Sequence, residues 1–421
     1  MRRWLSIMTV SLLVSPAAGA ESKIESQWPA WRGPNLNGLV DGGNPPVEWS
    51  ETKNIKWKTA IPGAGHATPI LWGDRVYLQS AVETEGGKYQ FKVLVLDKET
   101  GKVVWEKTVR ETHPAEDSHH RTSTYASGSG LTDGEHFYAY FGSAGLYCLD
   151  FDGNLKWEKD LGDMTTRNSF GEGSSPAIHG NTMVINWDHE GDSFIVALDK
   201  RTGKELWRNE RSEVTSWSTP LIVEHGGRQQ VIVSASRKTR SYDLKTGSMI
   251  WECAGLGTNV IPTPLHADGV VYVTSGHRRP AMQAILLDKA KGDITGSDAV
   301  LWSISQNTPY VSTPLLYGDR LYFVKNRNGI LSCYNAKTGE ALYGPERVAG
   351  LGRVYASLVG VDDRIYISDL SGTTLVVKNS SKFEILATNT LDDGIAASPV
   401  VAGDALYLRG YQHLYCIEKG K

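Results

Sequence analysis

The sequence predicts an all-β fold, an eight-bladed β-propeller of four-stranded antiparallel blades, and three observations favour it. A phrase made of an apolar strand end, Asp, a Thr-Gly turn and a strand with Trp recurs along the chain. A second phrase, an apolar strand after Pro, a Gly-Asp turn and a strand with Tyr, precedes it in each unit. The units follow one another every forty to sixty residues, roughly, which is the length of a propeller blade.

The turn in the first phrase has a clear chemical basis. Its fullest copy runs from Leu198 through Asp199 and Thr202-Gly203 to Trp207, with further copies ending at Trp105 and Trp251. An Asp carboxylate accepts backbone N–H bonds across the bend, and Gly adopts the positive φ that a tight hairpin needs. Each copy therefore predicts a hairpin between the last two strands of a blade.

The first residues predict a targeting segment. Arg2 and Arg3 precede a short apolar run, and Ala18-Gly19-Ala20 resembles a cleavage site, so residues 1–20 are interpreted as a signal peptide. No cysteine follows at the cleavage point that could carry a lipid anchor, and no apolar run is long enough to span a bilayer. We expect an exported protein, soluble in the periplasm or outside the cell.

Residues 21–53, with Trp28, Trp31 and Trp49, are interpreted as an arm packed against the fold, and residues 54–421 as the propeller. Segment 54–61 resembles a last strand without the strands that should precede it. The eighth unit, in turn, lacks a last strand, so 54–61 is predicted to complete it and close the ring. The eight units begin near His66, Tyr125, Gly171, Ser216, Val260, Val311, Val354 and Ala396.

A tryptophan stands in the outer strand of most units, where it can bury its ring between neighbouring blades. We predict this structural role, in preference to a contact with a cofactor, for Trp57, Trp105, Trp157, Trp207, Trp251 and Trp302.

The long connections predict that binding occurs on one face of the propeller. Those at 81–90, 106–124, 158–172, 188–192 and 276–282 all emerge on the same face, whereas the insertion at 289–300 lies on the opposite, plain face. Polar residues before the inner strands or in these loops are the candidates for ligand contact, although a channel filled with water would have a polar lining as well. They are His66, His119, His120, Arg121, Arg167, Asn168, Asn259, Arg353 and Tyr355.

No pattern predicts a metal site or a catalytic residue. The histidines between His113 and Arg121 fit no closed zinc ligand set, and the acidic loop from Asp188 to Asp192 lacks the ligand spacing of a calcium loop. Nucleophile elbows, phosphate loops and zinc-protease motifs are missing. We therefore expect no metal and no required cofactor.

Charge and cysteine content limit the choice further. A formal net charge of −3 gives no basic footprint for nucleic acid. Three of the four cysteines, Cys148, Cys333 and Cys416, occupy equivalent positions in different units, and Cys253 lies on an outer strand. Equivalent positions in separate blades are too far apart to bond, so we predict four unpaired thiols.

The repeat phrase resembles the PQQ-like, or quinoprotein-type, β-propeller family, which includes pyrroloquinoline-quinone (PQQ) dehydrogenases and BamB-like assembly scaffolds. The opening Trp28-Pro29-Ala30-Trp31-Arg32-Gly33 and the stretch Thr132-Asp133-Gly134 are most similar to the PQQ-like repeat proteins of planctomycete-type bacteria. The resemblance covers about 28–418 and implies the propeller fold. PQQ alcohol dehydrogenases of this family use adjacent bonded cysteines, Ca²⁺ and an Asp base, and this chain lacks the cysteine pair and a matching Asp.

Fold alone does not supply a function. We expect a non-catalytic binding or scaffold module of the cell envelope, whose partner is another envelope protein or an extracellular polymer. Two alternatives remain open: an oxidoreductase with PQQ and Ca²⁺ in the central funnel, and a carbohydrate-binding propeller with exposed aromatic residues such as Tyr310 and Tyr355.

Overall fold

The structure, a computed structural model, describes residues 27–325 and 329–420. The predicted signal peptide at 1–20 lies outside these residues. Within them, eight sheets follow one another along the chain, and each contains four strands of one blade. The only helices among them are single 3₁₀ turns, at Glu85–Gly87, Gly142–Ala144, Arg167–Ser169 and Leu287–Lys289. None of these is long or apolar enough to cross a membrane.

The strands are numbered in chain order. Strands β1 to β18 comprise one strand of the arm, one strand that completes blade 8, and the strands of blades 1 to 4. They are β1 (Leu39–Val40), β2 (Ile55–Ala60), β3 (Ile70–Trp72), β4 (Arg75–Glu83), β5 (Tyr89–Asp97), β6 (Val103–Thr112), β7 (Leu131–Thr132), β8 (His136–Tyr140), β9 (Leu146–Asp150), β10 (Leu155–Lys159), β11 (Ala177–His179), β12 (Thr182–Trp187), β13 (Phe194–Asp199), β14 (Glu205–Glu210), β15 (Leu221–His225), β16 (Arg228–Val233), β17 (Thr239–Asp243) and β18 (Met249–Cys253).

The numbering continues through blades 5 to 8. These strands are β19 (Leu265–Ala267), β20 (Val270–Ser275), β21 (Ala281–Leu286), β22 (Gly292–Asp293), β23 (Val300–Ile304), β24 (Leu315–Tyr317), β25 (Arg320–Lys325), β26 (Ile330–Asn335), β27 (Ala341–Arg347), β28 (Val359–Val361), β29 (Arg364–Ser368), β30 (Thr373–Lys378), β31 (Ile385–Thr390), β32 (Val400–Ala402), β33 (Ala405–Arg409) and β34 (His413–Ile417).

Each blade is an antiparallel meander, and the predicted fold is confirmed. Blade 1 is β3–β6, blade 2 β7–β10, blade 3 β11–β14, blade 4 β15–β18, blade 5 β19–β21 with β23, blade 6 β24–β27 and blade 7 β28–β31. Blade 8 is β32–β34 completed by β2, which pairs antiparallel with β34 so that Trp57 lies opposite Cys416. The predicted closure of the ring by segment 54–61 is therefore correct.

The repeated turn has the predicted chemistry. In blade 1 the Asp97 carboxylate accepts bonds from the backbone N–H of Thr100, at 2.8 Å, and from its hydroxyl, at 2.7 Å. Gly101 then adopts φ +68°. These local bonds fix the hairpin between β5 and β6 and thereby the register of the outer strand.

The same turn also packs against the tryptophan of the preceding blade. The Trp157 indole N–H of blade 2 donates to the Lys200 carbonyl of blade 3 at 3.1 Å. A Cβ placed on Gly203, in that blade 3 turn, would lie 2.7 Å from the Trp157 ring. Four more indoles make the equivalent bond to the next blade: Trp57 to Lys98, Trp105 to Phe151, Trp207 to Leu244 and Trp302 to Ala336.

The seam between blades 4 and 5 is different, because the insertion replaces the turn of blade 5. Trp251 donates to Gln230 of its own blade at 3.1 Å. Strand β22 of the insertion pairs in parallel with β18, the outer strand of blade 4, which thereby becomes a five-stranded sheet. The insertion was predicted to lie on the plain face. It thus adds a strand to the edge of blade 4 and covers the seam between blades 4 and 5.

The arm crosses the end of the central channel on the plain face. Its Trp28 pairs with Leu71 of blade 1, and its Pro29 carbonyl accepts the Thr132 N–H of blade 2. On the far side, Arg32 donates to the carbonyls of Pro314 in blade 6 and Leu358 in blade 7. The arm therefore spans the ring between opposite blades and closes the channel at one end.

The four cysteines lie in four different blades. Cys148 is in β9, Cys253 in β18, Cys333 in β26 and Cys416 in β34, and all four side chains are buried. Burial raises the pKa of their thiols, to about 12 for Cys148 and Cys416 and about 11 for Cys253 and Cys333. Such thiols are neutral and unreactive at physiological pH.

Candidate binding site in the central funnel

A ring of hydroxyl groups joins the blades where the inner strands begin. Each blade has a Ser or Thr at this point, and in six blades a Pro follows, which holds the residue in an extended conformation. In seven of the eight blades the backbone N–H of this hydroxyl residue donates to the side-chain hydroxyl of the equivalent residue in the next blade, the exception being Ser398 of blade 8. The seven bonds, of 2.9–3.2 Å, are Thr68 to Ser129, Ser129 to Ser175, Ser175 to Thr219, Thr219 to Thr263, Thr263 to Thr313, Thr313 to Ser357 and Ser357 to Ser398.

The funnel wall is formed by the residue two positions before each of these hydroxyls. In an extended segment, residues two apart point to the same side, and Ser129, Ser175, Ser357 and Ser398 of the ring line the same cavity as the wall residues. They surround a cavity of about 480 Å³, a size typical of small-ligand sites. Each blade contributes one wall residue, in order His66, Ser127, Gly173, Trp217, Ile261, Val311, Tyr355 and Ala396.

The arm supplies the floor of this cavity. Trp31 lines it, and its indole N–H lies 3.4 Å from the Ser398 hydroxyl of the ring. Because the arm closes the channel below Trp31, the funnel is a blind pocket that opens only on the face with the long loops. A smaller cavity of about 170 Å³ also borders the arm and contacts Pro29 and Arg32.

Aromatic rings surround the mouth. Tyr310 stacks on His277 with ring centroids 5.0 Å apart, and Phe170 lies 5.7 Å from His120 and 6.3 Å from Trp217. All five residues line the cavity. Such flat surfaces bind planar or apolar groups, and they do so at low cost in side-chain entropy because the rings are already packed.

The charge of the lining is unevenly divided. Arg121 and Arg353 line the funnel, and Glu172 is the only carboxylate among the described lining residues. The wall of blades 5 and 6, with Ile261 and Val311, is apolar. A pocket with two permanent cations and a separate apolar wall favours a ligand that carries both an acidic and an apolar group.

Glu172 is held on the blade 3 side of the mouth. Its carboxylate accepts bonds from the Ser143 backbone N–H at 2.8 Å and from the Ser143 hydroxyl at 2.5 Å. Its pKa is raised to about 7, chiefly by burial; the Ser143 bonds act to lower it, and the nearby carboxylates of Glu116 and Asp163 act to raise it. Near neutral pH this group therefore contributes less than a full negative charge to the funnel.

His66 stands on the blade 1 part of the wall, two blades away from Glu172. Its ring lies 5.4 Å from that of Tyr411. The pKa of the imidazole is lowered to about 4, chiefly by burial and then by the charges of Arg409 and His119, while a hydrogen bond with the Thr122 backbone acts to raise it. His66 is therefore neutral at physiological pH and can donate or accept a hydrogen bond there.

The predicted candidates fall into two groups. Five of them line the funnel: His66, His120, Arg121, Arg353 and Tyr355. The other four are parts of the loops around it. His119 packs edge-on against Tyr125 at 4.6 Å, Arg167 and Asn168 lie in a 3₁₀ turn, and Asn259 is buried with φ +57°.

Several lining residues were not predicted, and only some of them had a signal in the sequence. Trp217, Ile261 and Val311 follow from counting back two residues from the Ser or Thr of the ring. Phe170 and His277 lie in long loops, where no periodicity places a side chain. Tyr310 was expected only as an exposed aromatic residue of the carbohydrate-binding alternative. Trp31 reaches the site only because the arm crosses the channel.

The acidic loop is part of the scaffold. Asp188 forms a fully buried ion pair with Arg211, with a nitrogen–oxygen distance of 2.7 Å, and accepts the Ser216 hydroxyl at 2.6 Å. Glu190 accepts the Thr215 hydroxyl at 2.9 Å. These carboxylates are thus engaged by protein groups, and they hold together the loops that precede the inner strand of blade 4.

One group of metal-ligand side chains occurs among the described residues, and it lies away from the funnel. Asp133, Glu135 and His136 meet at the turn between β7 and β8. The Asp133 carboxylate there pairs with Lys200 at 2.7 Å and accepts the backbone N–H groups of Glu135 and His136. These bonds belong to a turn that is held against blade 3, and they explain why the three side chains lie close together.

Comparison with known proteins relates most of the chain to one family. A family profile described as "Outer membrane protein assembly factor BamB" matches residues 39–188 and 191–421. The protein of that name from Yersinia pestis is 23% identical over an alignment of 394 positions, which covers 87% of this chain and 88% of that protein.

Two further comparisons are more limited. Subunit 1 of the methanol dehydrogenase [cytochrome c] of Methylobacterium organophilum is 29% identical, but over 94 residues that make up only 14% of that protein. The crystal structure of BamB from Moraxella catarrhalis superimposes with a TM-score of 0.60 at 14% identity, covering 87% of this chain and 97% of that one. At this identity the structural likeness supports the fold alone.

Proposed function

This chain belongs to the family of the outer membrane protein assembly factor BamB, and from that membership we propose that it is a binding module of the cell envelope. Its funnel face holds one segment of another envelope protein. The observation that carries the proposal is the blind funnel, to which every blade contributes one wall residue. A pocket of this construction binds a group that enters from one side. The plain face and the rim then stay free of the bound segment.

The chemistry of the pocket supports a segment that combines acidic and apolar groups. Arg121 and Arg353 suit a carboxylate, while Trp217 and Tyr310 offer flat apolar surfaces. Aromatic residues and Arg are also the types that most often dominate protein interfaces.

A carbohydrate or another polymer is the second candidate, and the aromatic rings around the mouth favour it. Sugar rings stack on aromatic faces, which Trp217, Tyr310 and Tyr355 could provide. The two arginines argue for an acidic polymer if a polymer is the partner.

The residues do not fit PQQ beside a divalent cation, the pair that the family resemblance implies. A hard cation needs several oxygen ligands. The described lining residues supply one carboxylate, Glu172, and Ser143 already donates to both of its oxygens. The four cysteines lie in separate blades. No catalytic step is assigned to these residues.

Site-specific photo-cross-linking in the source cells tests the proposal. A benzophenone amino acid at Arg353, on the funnel, should give one discrete protein adduct that mass spectrometry can identify. The same group at Lys245, exposed on a turn of the plain face, is the matched control and should give none. Equal products from both positions would contradict the proposal, and a glycan adduct at Arg353 would favour the second candidate.

Two substitutions strengthen this test. Replacing His120 and Arg121 by Ala should reduce the Arg353 adduct severalfold without changing the melting temperature, since both side chains face the cavity. Separately, purified protein given PQQ and Ca²⁺ should show no dye-linked alcohol oxidation. Turnover in that assay would overturn the non-catalytic proposal.

A further inference from the structure

A second cavity borders the funnel on the side of blades 2 and 3. It has a volume of about 240 Å³ and is lined in part by the loops that connect blade 1 to blade 2 and blade 2 to blade 3. Ser127, Glu172 and Gly173 line both this side cavity and the funnel. Ala115 and Asp163, which also line it, are exposed, so the side cavity reaches the surface on the face with the long loops.

Three carboxylates line the side cavity. Neutral groups hold two of them: Glu116 accepts the backbone N–H of Thr166 at 3.0 Å, and Glu172 accepts that of Ser143 at 2.8 Å. The third, Asp163, is exposed. Besides burial, which is the main cause, the charges of Glu116 and Asp163 raise the pKa of Glu172, so the three groups repel one another. A cation among them would relieve this repulsion.

The lining of the side cavity does not itself neutralise this charge. Arg110 is the one permanent cation among its described residues, and it is paired at 3.0 Å with Asp160, which is not part of the lining. The carboxylates are also too far apart to share a metal ion, because the one group of ligand atoms within 4.8 Å of one another in the described chain is that of Asp133. An organic cation with several N–H donors can reach separate carboxylates.

A free hydroxyl gives independent evidence for a ligand. Tyr140, at the end of β8, is 2% exposed and lines the side cavity. Its backbone N–H and C=O bond to the Gln79 side chain, but its phenol oxygen has no hydrogen-bond partner among the described residues. Burial raises the pKa of this phenol, and so does the charge of Glu172, which is therefore nearby. A buried hydroxyl without a partner is unfavourable, and a donor bound in the cavity would satisfy it.

The rest of the lining is suited to the apolar stem of a long side chain. Phe91 of blade 1 and Phe141 of blade 2 pack edge to face, with ring centroids 5.4 Å apart, and both line the cavity together with Tyr125. Aromatic faces also attract cations. The volume is below the range usual for whole small-molecule ligands, about 300–1,000 Å³, and fits a single side chain.

We infer that the side cavity binds a basic side chain, the ammonium of Lys or the guanidinium of Arg, from the same segment whose acidic group enters the funnel. The inference rests on the proposal that the funnel face binds a segment of an envelope protein, and it adds a second recognised group. The charged end contacts Glu172 and the Tyr140 hydroxyl, and the stem lies against the aromatic rings. Because the funnel presents Arg121 and Arg353, the two cavities prefer opposite charges and thereby fix the direction of the segment.

Two small probes test the site on the purified protein. N-acetyl-lysine amide carries the ammonium on its natural stem, and N-acetyl-norleucine amide has a similar stem without the charge. At constant ionic strength the lysine probe should raise the melting temperature saturably, by roughly 1–2 °C, because a ligand of the folded state stabilises it. The norleucine probe should not. No response to the lysine probe, or an equal response to both, would overturn the inference.

Tyr140→Phe removes the free hydroxyl and keeps the ring. Because that hydroxyl has no partner in the described chain, the variant should keep the wild-type melting temperature and bind the lysine probe severalfold more weakly. Tyr147→Phe is the matched control. The Tyr147 hydroxyl donates to the Ala144 carbonyl at 2.6 Å and is not part of the lining, so this variant should lose stability and keep the probe response. Wild-type binding by Tyr140→Phe would contradict the assigned contact.

Asp163→Asn tests the charge at the mouth of the side cavity. It should weaken binding of the lysine probe severalfold without changing the melting temperature, since Asp163 is exposed and lines the cavity. Asp117→Asn is the control, because Asp117 is equally exposed in the loop between blades 1 and 2 but is not part of the lining. Equal weakening by both substitutions would show a general effect of negative charge and would contradict a defined site.

The outcomes separate this inference from the proposed function. Binding of the lysine probe needs no partner protein, so it can be observed even if cross-linking at Arg353 fails. A benzophenone amino acid at Ala115, which is exposed and lines the side cavity, should give the same protein adduct as one at Arg353. An adduct at Arg353 with none at Ala115 would leave the proposed function standing and overturn this inference.

Discussion

At the scale of single residues, the funnel combines groups whose charge depends on their surroundings. Glu172 faces a cavity lined by Arg121 and Arg353, yet burial and the neighbouring carboxylates Glu116 and Asp163 disfavour its ionised form. Its two bonds from Ser143 keep it in place in either state. A protonated carboxyl leaves the funnel more positive, which suits an acidic ligand.

Glu172→Gln should remove a pH dependence of stability. The pKa of Glu172 is raised from about 4.5 when unfolded to about 7 when folded, so the folded state binds the proton more tightly. Such a group stabilises the fold fully below pH 4.5, and its contribution is lost as the pH rises through 7. The melting temperature of the wild type should therefore fall relative to that of the variant between pH 4.5 and 7. Parallel curves across this range would show that folding does not raise the pKa of Glu172.

At the scale of the strand and blade, four seams between described blades are held by two separate layers. The hydroxyl ring joins the blades next to the channel at seven seams, and the bond from an outer Trp joins them near the rim at five. The Pro and the Ser or Thr of one phrase make the first layer, and the Thr-Gly turn and the Trp of the other make the second. The two repeated sequence phrases thus supply the residues for the two sets of contacts between blades.

Thr263→Val tests the inner layer. The Thr263 hydroxyl accepts the Thr219 N–H at 3.2 Å, and Val keeps the shape but leaves that buried donor without an acceptor. We expect a loss of about 1–3 kcal/mol in the free energy of unfolding. Thr68→Val is the matched control, since that hydroxyl has no partner within the described chain, and it should be close to neutral. Equal losses from both variants would mean that the ring bonds contribute little.

Gly203→Ala tests the outer layer. Its φ is +68°, and the new Cβ would lie 2.7 Å from the Trp157 ring. Gly180→Ala is the control, because Gly180 has a similar φ of +57° but no atom within 4 Å of the added carbon. Both variants bear the left-handed backbone strain, about 1–2 kcal/mol. Only Gly203→Ala should also lose roughly 1–3 kcal/mol from overpacking, measured by urea unfolding. A smaller loss at Gly203 than at Gly180 would contradict the packing role of the turn.

At the scale of the whole molecule, the repeat made the fold predictable, whereas the site was predictable only in part. The turn at Asp199 and the closing strand at 54–61 follow from local chemistry and from counting strands. His66 and Tyr355 could be placed on the wall because they precede inner strands. Tyr310 could be named only as an exposed aromatic residue and not placed on the cavity, since a long loop takes its conformation from tertiary contacts. Trp31 could not be placed there either, because its position depends on contacts with blades far apart in the chain.

Truncation from the N-terminus should separate the contribution of the arm to stability from that of the closing strand β2. A variant that begins at Asn54 loses the arm, including buried Trp28 and the stacking of Trp49 on Tyr366 at 6.2 Å, but it keeps β2. It should fold with lower stability, because each buried tryptophan side chain contributes a few kcal/mol, about 1.5–3. Its funnel should be open at the floor.

A variant that begins at Pro62 loses β2 as well, and its blade 8 then ends at β34. The N–H and C=O groups that β34 shares with Ile55–Ala60 would be exposed as a free edge, and the Trp57 contact with blade 1 would be lost. Free edges recruit other strands, so this variant should melt several degrees below the Asn54 variant and should elute as dimers or larger species in size-exclusion chromatography. The comparison isolates the closing strand, because both variants lack the arm. If the two variants melt together and both remain monomeric, ring closure by 54–61 contributes nothing to the stability of the propeller.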